Sequence, residues 1–455
     1  MTEELTDMPA KTCNWDVRAC YAVAVLLGAM DLEQFCWPSW LTYGGHPRND
    51  DRSRVHIIAS KFFADGYGTP SSLPVPPLAE IEGVPLPFGK PITERCGRTL
   101  VVHADIIAST YFLTTRYEEW MRGDVRDEHG RFPGKASLPC RAGFIDRPVV
   151  DEYASLLRKW AGLIGIEIPK PDRRFSVLLT HDVDFIGPPR GSVRAARCIV
   201  SGVLGRRPLR RAMRDATVAG RLRDHPCDNL DEVVRLDQWL TGCFPPDRCR
   251  SMYFFMAGGH TPYDGGYHLR SSRVLRRLQY VSQSGADIGL HASYEAGAEP
   301  IRVGIERRVL QEAAGLPIEK NRHHFLCWRE PEHGVAIAEG GIRWDATLGY
   351  ADIAGFRLGV CRPIPLFDPI RQRPLGIEEH PLIVMDCTLD RPSYMNLGED
   401  AAFDHVRRLA DATSQHQGEF VMLWHNTVLA SSDASYHRRL YPRVLDYLGK
   451  LLSAA

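Results

Sequence analysis

The stretch Ser176–Phe185 reads SVLLTHDVDF, a run of apolar, β-prone residues that ends in Asp182 and Asp184. Side chains alternate along a strand, so the two carboxylates share one face and His181 points to the other. Two carboxylates that close repel each other unless a cation or a donor lies between them. The plain alternative is a strand end whose acids cap the next helix. The pattern recurs. His291 follows the apolar run in ADIGLHASYEAG, Asp345 ends the run in IRWDA, and His425 ends the run in GEFVMLWHNT. In NRHHFLCW, alternation puts Arg322 and His324 on one face and His323 on the other. Each histidine alone reads as a packing residue. Acids and imidazoles recurring at strand ends are harder to explain by packing, and together they suit a borderline divalent metal such as zinc.

Such residues need a frame that gathers strand ends. After Phe175, short apolar strands (FSVLLT, SMYFFMA, ADIGLHA, HHFL, IRWDA, LIVMDC, FVMLWH) alternate with helical stretches such as SSRVLRRLQYVSQSG and AAFDHVRRLADATSQHQG. That alternation predicts an α/β sheet or barrel, in which chemistry gathers at the C-terminal strand ends. Residues 1–172 differ. They mix turn-rich text with two helical patterns, Ile106–Arg122 and Val149–Ile164, and end near a linker-like PKPDRR at 169–174. The expected organisation is a smaller α+β N-terminal domain over 1–172 and a barrel over 173–455. An arginine-rich insertion at about 190–226 (Arg194, Arg197, Arg206, Arg207, Arg210, Arg211, Arg214) is either a solvated helical excursion or a basic surface for phosphate or anionic headgroups.

Composition narrows the class. The chain has 455 residues, is 44% hydrophobic and carries a formal net charge of +0, which argues against a general nucleic-acid binder. Its 12 cysteines include no CxxC pair, so a cysteine zinc site has no support and reduced thiols are expected. The start MTEELTDMPAK is acidic, with no secretory signal pattern. The apolar run Ala19–Met30 is shorter than the roughly 20 residues a membrane span needs and reads as a buried or amphipathic helix. The expected setting is the cytoplasm. Oligomeric state is open.

THDVD, GLHAS and LWHNT resemble three motifs of the polysaccharide deacetylases, carbohydrate esterase family four, also called the NodB-homology family. WDATLGYADIAGFRLGVCRP, with DIIASTYFLTTRYEEW and DEHGRFP before it, resembles a bacterial subgroup that carries an added N-terminal domain. The resemblance implies a distorted (β/α) barrel and a metal-dependent amidohydrolase that removes an N-acetyl group from an amino sugar of a glycan or glycan precursor. It implies Asp182 as catalytic base, Asp184 and His291 as metal ligands, His425 as catalytic acid, and Arg322 and Asp345 as their supports. Asp345 would either hold His425 charged or orient Arg322. Where the family keeps a second histidine four residues after the first, this chain has Glu295. His324, on the face of Arg322, is the favoured third ligand; Glu295 and a degenerate metal-free site are the alternatives. Rival functions are a deacylase for a non-sugar amide and a non-catalytic glycan-binding protein. Ser293 and Tyr294 are expected to line the cleft or hold its loop. Arg357 and Arg362 are expected either to grip a substrate phosphate or carboxylate or to form ion pairs. Trp328 and Trp424 read as core or as sugar-stacking residues. His181, Asp386 and Cys387 read as structural.

Overall fold

The computed structural model describes residues 15–46, 52–64, 66–169, 172–187, 196–197, 199–201, 208–220, 225–265, 267–430 and 436–455. Arg194, Arg206 and Arg207 of the predicted basic insertion lie outside them. Arg197, Arg210 and Arg211 lie within them and are exposed.

The N-terminal stretch builds a four-stranded sheet, order β1-β2-β6-β5, from β1 (Leu41–Gly44), β2 (Arg54–Ile58), β5 (Gly89–Cys96) and β6 (Thr99–Ala104), with β3 (Ala79–Ile81) and β4 (Val84–Leu86) as a separate pair. The apolar run near the N-terminus forms the helix Val17–Leu27. Asp16 accepts from Arg18 N at 2.9 Å at its start, and Gly28 (φ 80°) adopts the left-handed conformation at its end. Ala19 and Tyr21–Leu26 are buried, so this is a core helix. The pattern 106–122 becomes two helices, Ile106–Thr114 and Tyr117–Met121, broken where Arg116 takes φ 54°. Arg116 turns inward there and forms a fully buried ion pair with Glu330.

The second half builds a nine-stranded sheet, order β12-β13-β11-β10-β9-β8-β7-β15-β14. Its strands are β7 (Ser176–Val183), β8 (Cys249–Met256), β9 (Asp287–Ala292), β10 (Lys320–His323), β11 (Trp344–Asp345), β12 (Ile364–Asp368), β13 (Arg373–Glu379), β14 (Val384–Met385) and β15 (Glu419–Leu423). All neighbours run parallel except the β12–β13 hairpin. β7 is buried on both faces after Ser176, as a central parallel strand must be.

Chain connectivity forces this sheet to curl. β13 ends at Glu379 and β14 begins at Val384 on the far side of the sheet. A flat sheet would put the two strands about 34 Å apart at roughly 4.8 Å per strand. The residues between them reach at most about 18 Å. The gap closes around His380, whose ring pairs with Glu378 on β13 at 2.9 Å and with Glu419 on β15. The result is a mixed α/β fold with an open, curled sheet that resembles a distorted barrel.

Two strand expectations shift. HHFL is a strand only as far as His323, and LIVMDC gives two strand residues before the short helix Asp386–Asp390. The hairpin β12–β13 was not evident in the sequence, because β13 is largely exposed and lacks an apolar run.

Contacts join the two halves tightly. Tyr21 Oη donates to Pro365 O at 3.1 Å, Arg362 Nε donates to Asp151 Oδ1 at 2.6 Å, and Gly134 N donates to Asp352 Oδ1 at 2.7 Å. A continuous buried hydrophobic cluster runs from Ala19 to Leu452.

Candidate active site

The parallel register sets the C-terminal ends of β7, β8, β9, β10 and β15 level with one another, with Met256 opposite His291 and His291 opposite Arg322. Asp184 follows β7, His291 is the penultimate residue of β9 and His324 follows β10. One nitrogen from each imidazole and one Asp184 oxygen lie within 4.8 Å of one another. His291 Nε2 lies 3.2 Å from Asp184 Oδ1 and 3.6 Å from Asp182 Oδ2; His324 Nε2 lies 3.7 Å from Asp184 Oδ1.

These donors fit a divalent ion on evidence of their own. Asp184 Oδ1 and His291 Nε2 are buried and have no hydrogen-bond partner among the described residues, although a buried polar atom normally has one. His291 Nδ1 donates to the backbone carbonyl of Arg322 at 2.9 Å, which turns the lone pair of Nε2 toward Asp184. Burial would raise the pKa of Asp184, but His324, His291 and His425 outweigh it and hold the carboxyl far below its ordinary range. Glu295 stands apart, on the single helical turn Tyr294–Ala298, and pairs with Arg302 at 2.8 Å. Of the two alternatives for a third ligand, His324 is the one brought to the group.

Asp182 is 2% exposed and sits between His291 and Arg322. Arg322 donates through Nη1 to Thr180 Oγ1 at 2.5 Å and approaches Asp182 Oδ1 at 3.4 Å, while Nε donates to Ala346 O at 2.8 Å. His425 Nε2 points toward Asp184 Oδ2 at 3.8 Å, and its Nδ1 donates to Asp386 Oδ1 at 2.7 Å. Burial alone would lower the pKa of His425, but the Asp386 carboxylate outweighs it and raises the pKa well above the ordinary histidine value. Asp386, Cys387 and His425 also cluster, yet they make a poor metal site. Asp386 is spent on the backbone N–H groups of His425 and Cys387 and on Nδ1, and burial first, then Asp386, raises the Cys387 thiol and keeps it protonated.

Four expectations are corrected by this geometry. Asp345 bonds directly to neither His425 nor Arg322 and reaches Arg322 only through its field. It accepts from Asn321 Nδ2 at 2.7 Å and Thr347 N at 2.8 Å, and burial raises its pKa next to Glu379. The residue behind His425 is Asp386, which the sequence reading treated as structural. Arg357 does not face the cleft. It is buried in a two-point pair with Glu119, through Nε at 2.9 Å and Nη2 at 2.6 Å. Ser293 does not line the cleft either; its hydroxyl donates to Glu306 Oε1 at 2.6 Å and caps the following turn. Tyr294 borders the cleft region, packed on Tyr263 with its hydroxyl 3.2 Å from His129 Nδ1. Arg362 makes the ion pair with Asp151, and Trp328 and Trp424 are core residues at 1% and 0% exposure.

The site opens into a cavity of about 320 Å³ lined by Asp182, Asp184, His324 and His425 and by residues the sequence did not single out: Arg131, Tyr263, Asp264, Phe325, Arg391 and Tyr394. Asp264 accepts from Thr261 and from Tyr294 N. Burial would raise its pKa, but its approach to His324 and these bonds hold it at about 2. Its signal in the sequence was slight, one acid in the loop HTPYDGG after β8.

Residues 28–162 match the model of a family of unknown function, DUF7033. No curated protein matches. Among solved structures, a crystal structure described as a putative polysaccharide deacetylase from Mycobacterium smegmatis is similar at 12% identity and a TM-score of 0.40, over 63% of this chain and 87% of that one. No helix among the described residues is long and apolar enough to cross a membrane.

Proposed function

We propose that this chain is a metal-dependent hydrolase that removes an N-acetyl group from an amino sugar of a bacterial glycan or glycan precursor, on a barrel of the polysaccharide deacetylase type. The observation that carries the reading is the convergence of Asp184, His291 and His324, with two buried donor atoms unpartnered, between a second carboxylate and a charged histidine.

Asp184, His291 and His324 would hold a divalent ion, and two imidazoles with one carboxylate suit zinc. When bound, such an ion supplies Lewis acidity toward an amide carbonyl and toward water. Asp182 then acts as the base and takes the proton of the attacking water. Arg322, 3.4 Å from Asp182 Oδ1, fixes the direction of that carboxylate. As the C–N bond breaks, His425 Nε2–H donates its proton to the departing amine nitrogen. Asp386 keeps that imidazole charged and turned toward the cavity. Residues 1–172 serve as an accessory domain that adds Arg131 to the cleft wall.

Acetate release from N-acetylated oligosaccharides by zinc-reconstituted protein tests the reading. Release that disappears in Asp182→Asn and His425→Ala is expected. A zinc-loaded protein that releases no acetate from any N-acetyl sugar would overturn it.

A further inference from the structure

Two guanidinium groups line the cleft, and hydrolysis of a neutral amide needs neither. Arg391 follows the helix Asp386–Asp390 and is exposed; among the described residues no carboxylate lies within 4 Å of it. Arg131 is 7% exposed and is fixed from three sides. Its Nε donates to Asp127 Oδ2 at 2.7 Å, Nη1 to Phe325 O at 2.9 Å and Nη2 to Tyr394 Oη at 3.1 Å. The Arg391 guanidinium carbon lies 5.7 Å from the centroid of the same Tyr394 ring. Tyr394 therefore has one cation at its hydroxyl and a second at its ring. Phe325 extends the aromatic wall with φ 59°, a left-handed conformation that the Arg131 bond to its carbonyl helps hold.

We propose that Arg391 and Arg131, with Tyr394 and Phe325, bind an anionic group, carboxylate or phosphate, carried by the substrate sugar. The proposal rests on the hydrolase reading of the inner site and names its substrate class: an acidic amino sugar or an amino-sugar phosphate. The cleft lining holds the carboxylates Asp182, Asp184 and Asp264 and also two arginines, which share the Tyr394 wall. A planar guanidinium matches a carboxylate or a phosphate in two-point geometry, and a cation without a carboxylate partner in a concave wall gains most from an arriving anion. The fields of the two cations overlap at His129, whose pKa is lowered first by burial and then by Arg131, with Arg391 adding to it. Arg357 and Arg362, for which the sequence left an anion grip and ion pairing both open, form buried ion pairs and are not among the residues that line this cavity; Arg131 pairs with Asp127 but does line it.

The test is calorimetric titration of the full chain, with zinc added, against N-acetylglucosamine, N-acetylmuramic acid and N-acetylglucosamine 1-phosphate, with inorganic phosphate as a competitor. At least one anionic sugar is expected to bind about tenfold more tightly than the neutral one, the scale of a charge-assisted contact. That advantage should shrink with added salt, vanish in Arg391→Gln and return in part in Arg391→Lys. Which anionic sugar wins separates carboxylate from phosphate recognition, and competition by inorganic phosphate alone marks a phosphate site. Equal binding of neutral and anionic sugars, binding of no sugar, or a preference that survives Arg391→Gln would overturn the proposal. Because the readout is binding, a protein that keeps the anion preference but releases no acetate would lose the hydrolase reading and keep the subsite. Acetate release with no preference would do the reverse.

Discussion

Strand β7 serves two buried histidine–carboxylate systems, one on each face. On one face His181 donates through Nδ1 to Trp424 O at 2.7 Å, and its Nε2 lies 3.0 Å from Asp237 Oδ2. Asp237 also accepts from Tyr253 Oη at 2.7 Å and Tyr441 Oη at 2.6 Å. On the other face His291 Nε2 comes within 3.2 Å of Asp184 Oδ1, yet both atoms lack a hydrogen-bond partner among the described residues. Residue types and distances are alike, although the Asp184 side chain is 24% exposed and that of Asp237 1%. The difference is saturation. Where every lone pair and proton has a partner, the network ties strands to helices. Where donor atoms converge and stay unpartnered, the fold has left room for a cation.

The sharpest way to break this contrast is to remove a residue from each face. On the open face, Asp182→Asn or His425→Ala should cost about 10²–10⁴-fold in turnover while the melting temperature stays close to wild type. On the closed face, Asp237→Ala leaves His181, Tyr253 and Tyr441 without their acceptor and should cost about 3–5 kcal/mol in chemical denaturation, with metal content retained in the fraction that folds. If Asp237→Ala lost metal without losing stability, the two faces would have been assigned the wrong way round.

A smaller effect concerns pH. Asp386 raises the pKa of His425, so the proton that His425 donates stays bound below the folded-state value and is lost as pH rises through it. Activity should therefore fall only at a pH well above the ordinary histidine range. Asp386→Asn removes the raising charge and should move that alkaline limb down toward about 6.5 or lower. A pH–rate profile whose alkaline limb does not move would detach Asp386 from His425. The smallest effect belongs to Glu295→Gln. The pair with Arg302 is partly exposed, so stability should change by no more than about 1 kcal/mol and metal content not at all. Loss of metal in that variant would return Glu295 to the ligand set.

What the sequence disclosed follows from the same physics. Asp182, Asp184, His291 and His425 were legible because each ends a long apolar run, and two-residue alternation told His181 from its neighbours. His324 was legible by alternation from Arg322 although it sits just beyond β10, because the chain turns only after it, at Phe325. Asp386 was not legible. In the sequence it ends the run LIVMD, and nothing local separates an acid that holds a distant histidine from one that only binds backbone amides. Asp345 was misassigned because a strand-end acid looks the same whether it faces a cleft or a buried knot with Asn321, Thr347 and Glu379. Arg357 and Arg391 were indistinguishable for a similar reason. What separates them is Glu119, which neutralises Arg357 from another part of the chain and which no local pattern announces.

The central claim, that the unpartnered donors on the open face of β7 exist to hold a cation, is tested most directly by elemental analysis of the purified chain and of its Asp184→Ala, His291→Ala, His324→Ala and His425→Ala variants. The account predicts near-stoichiometric divalent metal in the wild type and in His425→Ala, and its loss in the other three. A wild-type chain that binds no metal after incubation with zinc, cobalt or nickel would contradict it.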